Sequence, residues 1–438
     1  MRINTLELTN VRGFTHAKLE FQPGFNLIVG INGVGKTTVL ETLRIILLNI
    51  LVETKMPIVT RAYFTKSDIN INTDQLLVNA SFEVDKIDYS FIYSKSAKDY
   101  TTISTEQKKR TNNSTTHFRE EGITLDDIIE FKPNLQRTED VPLLALYFST
   151  RRSLMVNQNP KFVKSGKFHA AAYVDALSET RPFNVKMFAD WFKVRKTLAN
   201  ENPDNISYNK VIELIEQAIY TFLPSFSNLG LTEDEVSKET TFCITKGDKV
   251  LNFGQLSDGE LGIIALVFDI ARRLIIANHR LENPLEGNAV ILIDELDLHL
   301  HPKWQRTIVS DLQRTFPNCQ FIATTHSPQI IGEVKSKAIT IIDKNHEKEV
   351  YKPNVAFGLD SQRILEELLD APVRNVDINK KFVELSKAVD YEKFDDAKKL
   401  ISKLKKILGE NDPELIRTNS MIQFLEEDLE DLEDEKDS

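Results

Sequence analysis

The sequence predicts an α/β fold shaped to hold a nucleotide, on three observations. Gly30-Ile31-Asn32-Gly33-Val34-Gly35-Lys36-Thr37 has the phosphate-loop spacing G-x-x-x-x-G-K-[ST] and lies between a strand-like run, Phe25 to Val29, and a helix-like run, Val39 to Leu51. A second apolar strand, Ala289 to Ile293, ends in Asp294-Glu295, and a third, Gln320 to Thr324, ends in Thr325-His326-Ser327-Pro328. Strand, helix, strand with polar residues at the carboxyl ends is the arrangement in which α/β sheets place ligands along one rim.

Taken in order, residues 1 to 29 alternate apolar and polar side chains around turns at Arg12-Gly13 and Pro23-Gly24, so an antiparallel hairpin feeds the strand before the phosphate loop. Leu76 to Val84 and Lys86 to Tyr93 pair in the same manner, giving residues 1–94 a β-rich lobe. Residues 95–240 read as an insertion. It opens with a polar, exposed loop bearing the basic tip Lys108-Lys109-Arg110, which suits solvent or a nucleic-acid contact. Leu143 to Phe148 is a short strand candidate, and Arg151-Arg152 after it are placed to reach a phosphate. Apolar residues between 170 and 230 recur at helical spacing without sustained heptads, which predicts a helical lobe and no long coiled-coil arm. Residues 241–360 return to the α/β core. Residues 361–425 carry amphipathic helices that form a small appendage, and residues 426–438, with nine acidic side chains and one lysine, predict a solvated tail.

Composition narrows the function classes. Formal charge is −10, with 65 acidic and 55 basic residues, so the whole chain lacks the electrostatic footprint of a nonspecific nucleic-acid coat. Cys243 and Cys319 sit in apolar runs with no metal or redox spacing, and the opening MRINTLELTN is no signal peptide, so a reduced, cytoplasmic protein is expected. The longest apolar runs, Thr42 to Val52 and Leu261 to Ile276, are charged or too short to cross a bilayer.

The motifs together specify phosphate chemistry. Small residues in the loop (Gly33, Gly35, with Asn32 and Thr38 flanking) let successive backbone N–H groups curl around a triphosphate, Lys36 supplies a cation, and Thr37 offers its hydroxyl to Mg²⁺. Asp294 would hold Mg²⁺ and Glu295 would orient the attacking water. His326, also at a strand end, is placed to donate to the γ-phosphate and sense its loss.

Leu256-Ser257-Asp258-Gly259-Glu260, just ahead of a long apolar helix from Leu261 to about Leu281, resembles the LSGGQ signature of ABC-type ATPases. With Asn10-Val11-Arg12-Gly13-Phe14, the phosphate loop, Ile293 to Pro302 and Thr324 to Ser327, it makes the chain resemble the RecF/SMC/OLD branch of those ATPases over residues 1 to 345. Within that branch it is most similar to bacterial anti-phage ATPases of the PtuA type, Septu- and retron-associated. The resemblance implies ATP and Mg²⁺ as cofactors, and an ATP-hydrolysing switch that assembles as a homodimer or higher oligomer. Ser257, Gly259 and Asp297 of one copy would complete, in trans, the site on the other. Arg12 would lie near the nucleotide. Asp258 replaces the usual glycine, and its side chain could cap the helix. No clear glutamine loop is found; Asp68, as a further metal ligand, or Gln75 could serve, with a helix cap for Asp68 equally open. Nothing after His326 resembles a Toprim nuclease domain, so the implied effector is a separate partner, an HNH-type nuclease. A repair ATPase that clamps DNA directly is the alternative. A transporter subunit fits poorly, given the missing glutamine loop, the roughly 220 residues that separate Thr37 from Ser257 and the Asn-Val-Arg-Gly-Phe pattern of the RecF-like branch.

Overall fold

The computed structural model describes residues 1–53, 61–98, 101–108, 143–150, 154–155, 171–180, 183–201, 206–233, 240–343 and 350–434. They divide into two compact units, Met1–Ile364 and Leu365–Ser438.

The first unit starts with β1 (Arg2–Val11) and β2 (Phe14–Glu20), then β3 (Phe25–Val29), the phosphate loop and α1 (Lys36–Glu53). β4 (Gln75–Val84), β5 (Ile87–Ser96) and β6 (Thr101–Lys108) follow, then β7 (Leu144–Phe148). The two-residue strands β8 (Leu154–Met155) and β9 (Phe183–Asn184) pair with each other ahead of α2 (Val185–Glu201) and α3 (Ile206–Phe222). A small antiparallel sheet, β10 (Phe226–Glu233), β11 (Thr240–Lys246) and β12 (Lys249–Asn252), leads into α4 (Asp258–Ala277). β13 (Ala289–Ile293), α5 (Pro302–Gln305), α6 (Ile308–Thr315), β14 (Gln320–Thr325), α7 (Pro328–Ile331), β15 (Ile339–Ile342) and β16 (Val350–Tyr351) complete the unit, whose last residue, Ile364, falls within α8 (Ser361–Leu368).

Two sheets carry the architecture. One is antiparallel, in the order β2-β1-β4-β5-β6; the other runs β16-β15-β3-β14-β13-β7 and is parallel except for β16. Sequence pattern explains the division. β3, β7, β13 and β14 are buried at every position, as strands covered on both faces must be, whereas β4 alternates buried with less buried residues. A single apolar cluster takes in the antiparallel sheet (Leu6, Val78, Phe91), α1 (Leu40, Leu43, Leu47) and the parallel sheet (Val290, Leu292, Ile322). Gln320 joins the two sheets: its buried amide accepts from Ile3 N at 2.8 Å and donates to Ile3 O at 2.7 Å.

Burial also explains α4. Nearly every residue from Gly259 to Ala277 is buried, with Phe268 meeting Phe188 and Phe192 of α2 and Phe242 of β11. Inside that packing lies an ion cluster. Arg273 grips both oxygens of Asp269 at 3.0 Å and donates to the carbonyls of Ala172 (2.5 Å) and Val174 (3.0 Å). The segment 171–180 is clasped from its other end by Arg44 of α1, which donates to Leu177 O and pairs with Glu179.

The structure differs from the expectations in three places. β6 occupies part of the stretch read as an exposed loop, because Thr101–Lys108 pairs with β5 along its length. β7, inside the segment 95–240, is the edge of the parallel sheet beside β13. Residues 426–434 continue the last helix. The tip residues Lys109 and Arg110, and Arg151 and Arg152, lie outside the described residues.

The second unit contains α9 (Val376–Asp390), α10 (Phe394–Leu408) and α11 (Pro413–Asp434), packed around Phe382, Leu385, Val389, Ile401, Leu404, Leu415 and Ile422. Arg374 pins the start of α11 by pairing with Asp412 at 2.9 Å and Glu414 at 3.1 Å. Among the described residues no helix is long and apolar enough to cross a membrane.

Candidate nucleotide site

The site grows from the carboxyl ends of β3, β13 and β14. Gly33 and Gly35 adopt positive φ (81° and 113°), a conformation glycine reaches without penalty. At Gly35 the absence of a side chain is also spatial, since a Cβ would lie 2.6 Å from the ring of Phe14. Thus the β1–β2 hairpin leans directly on the phosphate loop. Asn32 and Gly33 are exposed, Thr38 is half-buried, and α1 begins at Lys36, leaving its first N–H groups open toward the loop.

Lys36 is 7% exposed, and its ammonium donates to the loop carbonyls of Gly30 and Ile31, both at 2.9 Å. Burial pulls its pKa down to about 8, against the pull of Asp294, Glu295 and Asp297. The loop thus holds its cation on weak, neutral acceptors that a phosphate can displace.

Thr37 Oγ donates to Asp294 Oδ2 at 3.0 Å, joining the phosphate loop to the end of β13. Thr324 Oγ donates to Asp294 Oδ1 at 2.6 Å and accepts the N–H of Glu295 at 2.8 Å. Glu295 has a left-handed backbone (φ 49°), unfavourable for a residue with a Cβ, and the Thr324 bonds to Glu295 N and Leu296 N hold it there. A hydroxyl and a carboxylate in contact fit a hard divalent ion. Among the described residues no group of three or more His, Cys, Asp and Glu side chains could hold a metal by itself, and Mg²⁺ characteristically takes one or two carboxylates plus substrate phosphates.

His326 and Asp297 meet across the strand ends. Asp297 accepts from Thr325 Oγ at 2.5 Å and from His326 N at 3.4 Å. Burial lowers the His326 pKa, Lys36 lowers it further, and the two aspartates oppose, so the imidazole favours its neutral form. Asp297, expected to act across a dimer, therefore has its carboxylate engaged within its own chain.

Arg12 sits at the hairpin tip with φ 49°. Its guanidinium pairs with Asp68 at 2.8 Å and with Glu41 of α1. Burial lowers its pKa, but the bonds to Asp68 and Glu41 prevail and raise it. Asp68 meets a different arrangement from a metal ligand's. Its Oδ2 accepts Thr65 N (2.7 Å) and Thr65 Oγ (2.8 Å), and Oδ1 accepts Arg12, the capping position that sequence left open. Burial raises its pKa, yet the Thr65 and Arg12 bonds win and lower it. Gln75 begins β4 and donates to Ser94.

The signature segment is a helix cap. Ser257, not Asp258, is the N-cap of α4: its backbone N and its hydroxyl both donate to Glu260 Oε2 at 2.9 Å, in a capping box. Gly259 packs so closely on the segment after β13 that a Cβ would lie 2.6 Å from His299 O and 3.1 Å from the Trp304 ring. Thr324, Thr325, Glu41 and Glu260 are functional neighbours that sequence reasoning did not assign; the paired threonines at a strand end were the available signal.

A phosphate loop whose Thr37 is bonded to the acidic end of a buried parallel strand defines the class, a P-loop ATPase. Residues 25–332 match the family described as "AAA domain, putative AbiEii toxin, Type IV TA system", and the chain belongs to that family. It is 27% identical to the Escherichia coli "Retron Ec83 probable ATPase", over 98% of this chain and 88% of the relative. It is 30% identical to the "Retron Vc95 probable ATPase" of Vibrio cholerae serotype O1 biovar El Tor, over 78% and 74%. The "Septu protein PtuA" of Bacillus thuringiensis is 26% identical over 84% and 83%. The expected resemblance to retron-associated and Septu ATPases is borne out, and the chain is an ATPase.

Proposed function

We propose that this ATPase is a dimeric switch that uses ATP binding and hydrolysis to control an associated nuclease in anti-phage defence. The observation that carries the reading is the division of the site. Lys36, Thr37, Asp294, Glu295 and His326 gather at one set of strand ends, while the contacts of Ser257 and Gly259 run to Glu260, His299 and Trp304. Ser257 and the N–H of Gly259 form a second anion site that a γ-phosphate bound to another copy would fill.

In this reading Lys36 leaves its carbonyls for the phosphates, and Thr37 and Asp294 would hold Mg²⁺, which neutralises charge developing on the transferred phosphoryl group. Glu295 orients and polarises the attacking water, and neutral His326 donates to the γ-phosphate. Arg12 stands near the nucleotide on the hairpin, held by Asp68 and Glu41, and the loop that carries Asp297 meets the partner copy while the Asp297 carboxylate stays on Thr325 and His326 N of its own chain. The retron and Septu kinship supports the defence role and an HNH-type nuclease as effector.

Glu295→Gln tests the reading. The variant is expected to bind ATP, to lose turnover by about 10²- to 10³-fold, and to run as a dimer with ATP in light scattering. A monomer under those conditions, or normal phosphate release, sinks the assignment. Duplex DNA binding by the chain alone that tightens with ATP and weakens with salt would instead favour a DNA clamp.

A further inference from the structure

The anion site at the start of α4 already carries an anion of its own. Glu260 is 6% exposed, and its Oε2 occupies both the N–H and the hydroxyl of Ser257. Asp258 adds an exposed carboxylate in the same turn. Acidic groups suit the positive end of an empty helix. They oppose a phosphate, because like charges sharing a partly buried site repel. Protonation offers Glu260 no escape: burial raises its pKa, but the bonds from Lys246 and Ser257 prevail and hold it below the ordinary carboxylate range.

The compensating charge comes from outside the motif. Lys246, the last residue of β11, brings its Nζ to 2.6 Å from Glu260 Oε1. The same ammonium lies 5.4 Å from the ring of Phe226, its cross-strand partner on β10, which fixes the direction of the stem. Its side chain remains 46% exposed, so the pair lies at the surface of the chain.

Resting on the composite-site reading above, we propose that Lys246 is the positioning residue that turns the signature into a phosphate site. Ser257 has one hydroxyl proton and cannot give it to Glu260 and to a phosphate at once. On engagement the hydroxyl turns to the phosphate, and Lys246 keeps the released carboxylate in place and its charge balanced. The small β10–β12 sheet thereby sets how readily α4 accepts a partner's ATP.

Lys246→Met keeps the stem on Phe226 and removes the charge. The isolated chain should bind ATP at Lys36 with unchanged affinity, while ATP-driven dimerisation needs about ten-fold more nucleotide. Lys246→Arg should retain most of the dimerisation. The decisive variant is Lys246→Met combined with Glu260→Gln, which removes both charges and should recover dimerisation toward wild type. A role in folding alone would also be relieved by removing both charges, so melting temperatures of the single and double variants are measured alongside, and the proposal requires the dimerisation defect of Lys246→Met at a temperature where that variant is fully folded. Wild-type dimerisation by Lys246→Met, or a double variant no better than the single, overturns the proposal. The underlying reading is checked by mixing Ser257→Arg with Lys36→Ala chains, which together form one intact composite site. No hydrolysis in that mixture overturns the dimer and this proposal with it; hydrolysis there, with Lys246→Met behaving as wild type, removes only the role of Lys246.

Discussion

The phosphate-loop half and the signature half of the site are held by different means. In the first, Lys36, Asp294, Thr324 and Thr325 are each 7% exposed or less; Lys36 opens α1 after the phosphate loop, and the others sit at the ends of strands buried on both faces. Asp294 is fixed from two sides, by Thr37 and Thr324, before any ligand arrives. In the second, Ser257 is exposed, and its donors are occupied by a carboxylate three residues along the same helix. A preorganised half needs only its ligand, because the sheet has already met the cost of ordering. The self-capped half must exchange a local partner for a distant one, which makes it the natural point of control.

Lys36→Ala breaks the comparison on the preorganised side. Loss of the buried ammonium should weaken ATP binding by the isolated chain at least 100-fold, since charge-assisted bonds to phosphate are the strong ones; isothermal titration measures it. Gly259→Ala breaks the other side. With His299 O 2.6 Å from the new methyl group, the loop after β13 must shift, so ATP hydrolysis should fall about ten-fold or more while nucleotide binding by the monomer stays near wild type. Equal losses in both assays would erase the distinction between the halves.

Thr324→Val sharpens it further. The change removes a donor to Asp294 and leaves the Glu295 N–H without its acceptor, which should cost about 1–3 kcal/mol in stability. Denaturant unfolding checks the stability, and turnover should fall with it because Glu295 loses a support for its left-handed backbone. The smallest effect is on pH. Bound phosphate favours charged Lys36, and the free ammonium loses its proton at about pH 8, so ATP binding should weaken as pH rises above that value and take up a proton there. The same lowered pKa means that folding stability contributed by this group rises with pH between about 8 and the unfolded lysine value, the opposite trend to ligand affinity. Affinity and denaturant unfolding, both measured from pH 7 to 9.5, separate the two.

Much of the fold was legible because its strongest strands are short, apolar runs bounded by turn or motif residues. Phe25–Val29 and Ala289–Ile293 could hardly be anything but buried parallel strands once a phosphate loop and an acidic pair followed them. β6 was not legible. Its residues, TTISTEQK, are polar and carry little burial signal, and they become a strand because β5 offers an open edge. The assignment of Asp68 failed to separate two roles for a similar reason. Thr65-x-x-Asp68 is a capping pattern and a candidate for the missing glutamine-loop position at once; in the structure its carboxylate is taken up by Thr65 N and Oγ, and also by Arg12, 56 residues away.

The sequence by itself determined the nucleotide loop, the acidic strand end, the signature and the family, because each is written in consecutive residues whose spacing is dictated by local backbone geometry. Tertiary structure alone decided which donors are already occupied. That Thr324 supports Asp294, that Glu41 and Asp68 hold Arg12, and that Lys246 balances Glu260 depends on strand ends and helix starts brought together by burial. No local pattern encodes those meetings, since hydrogen bonds between distant residues are set by how the apolar faces pack.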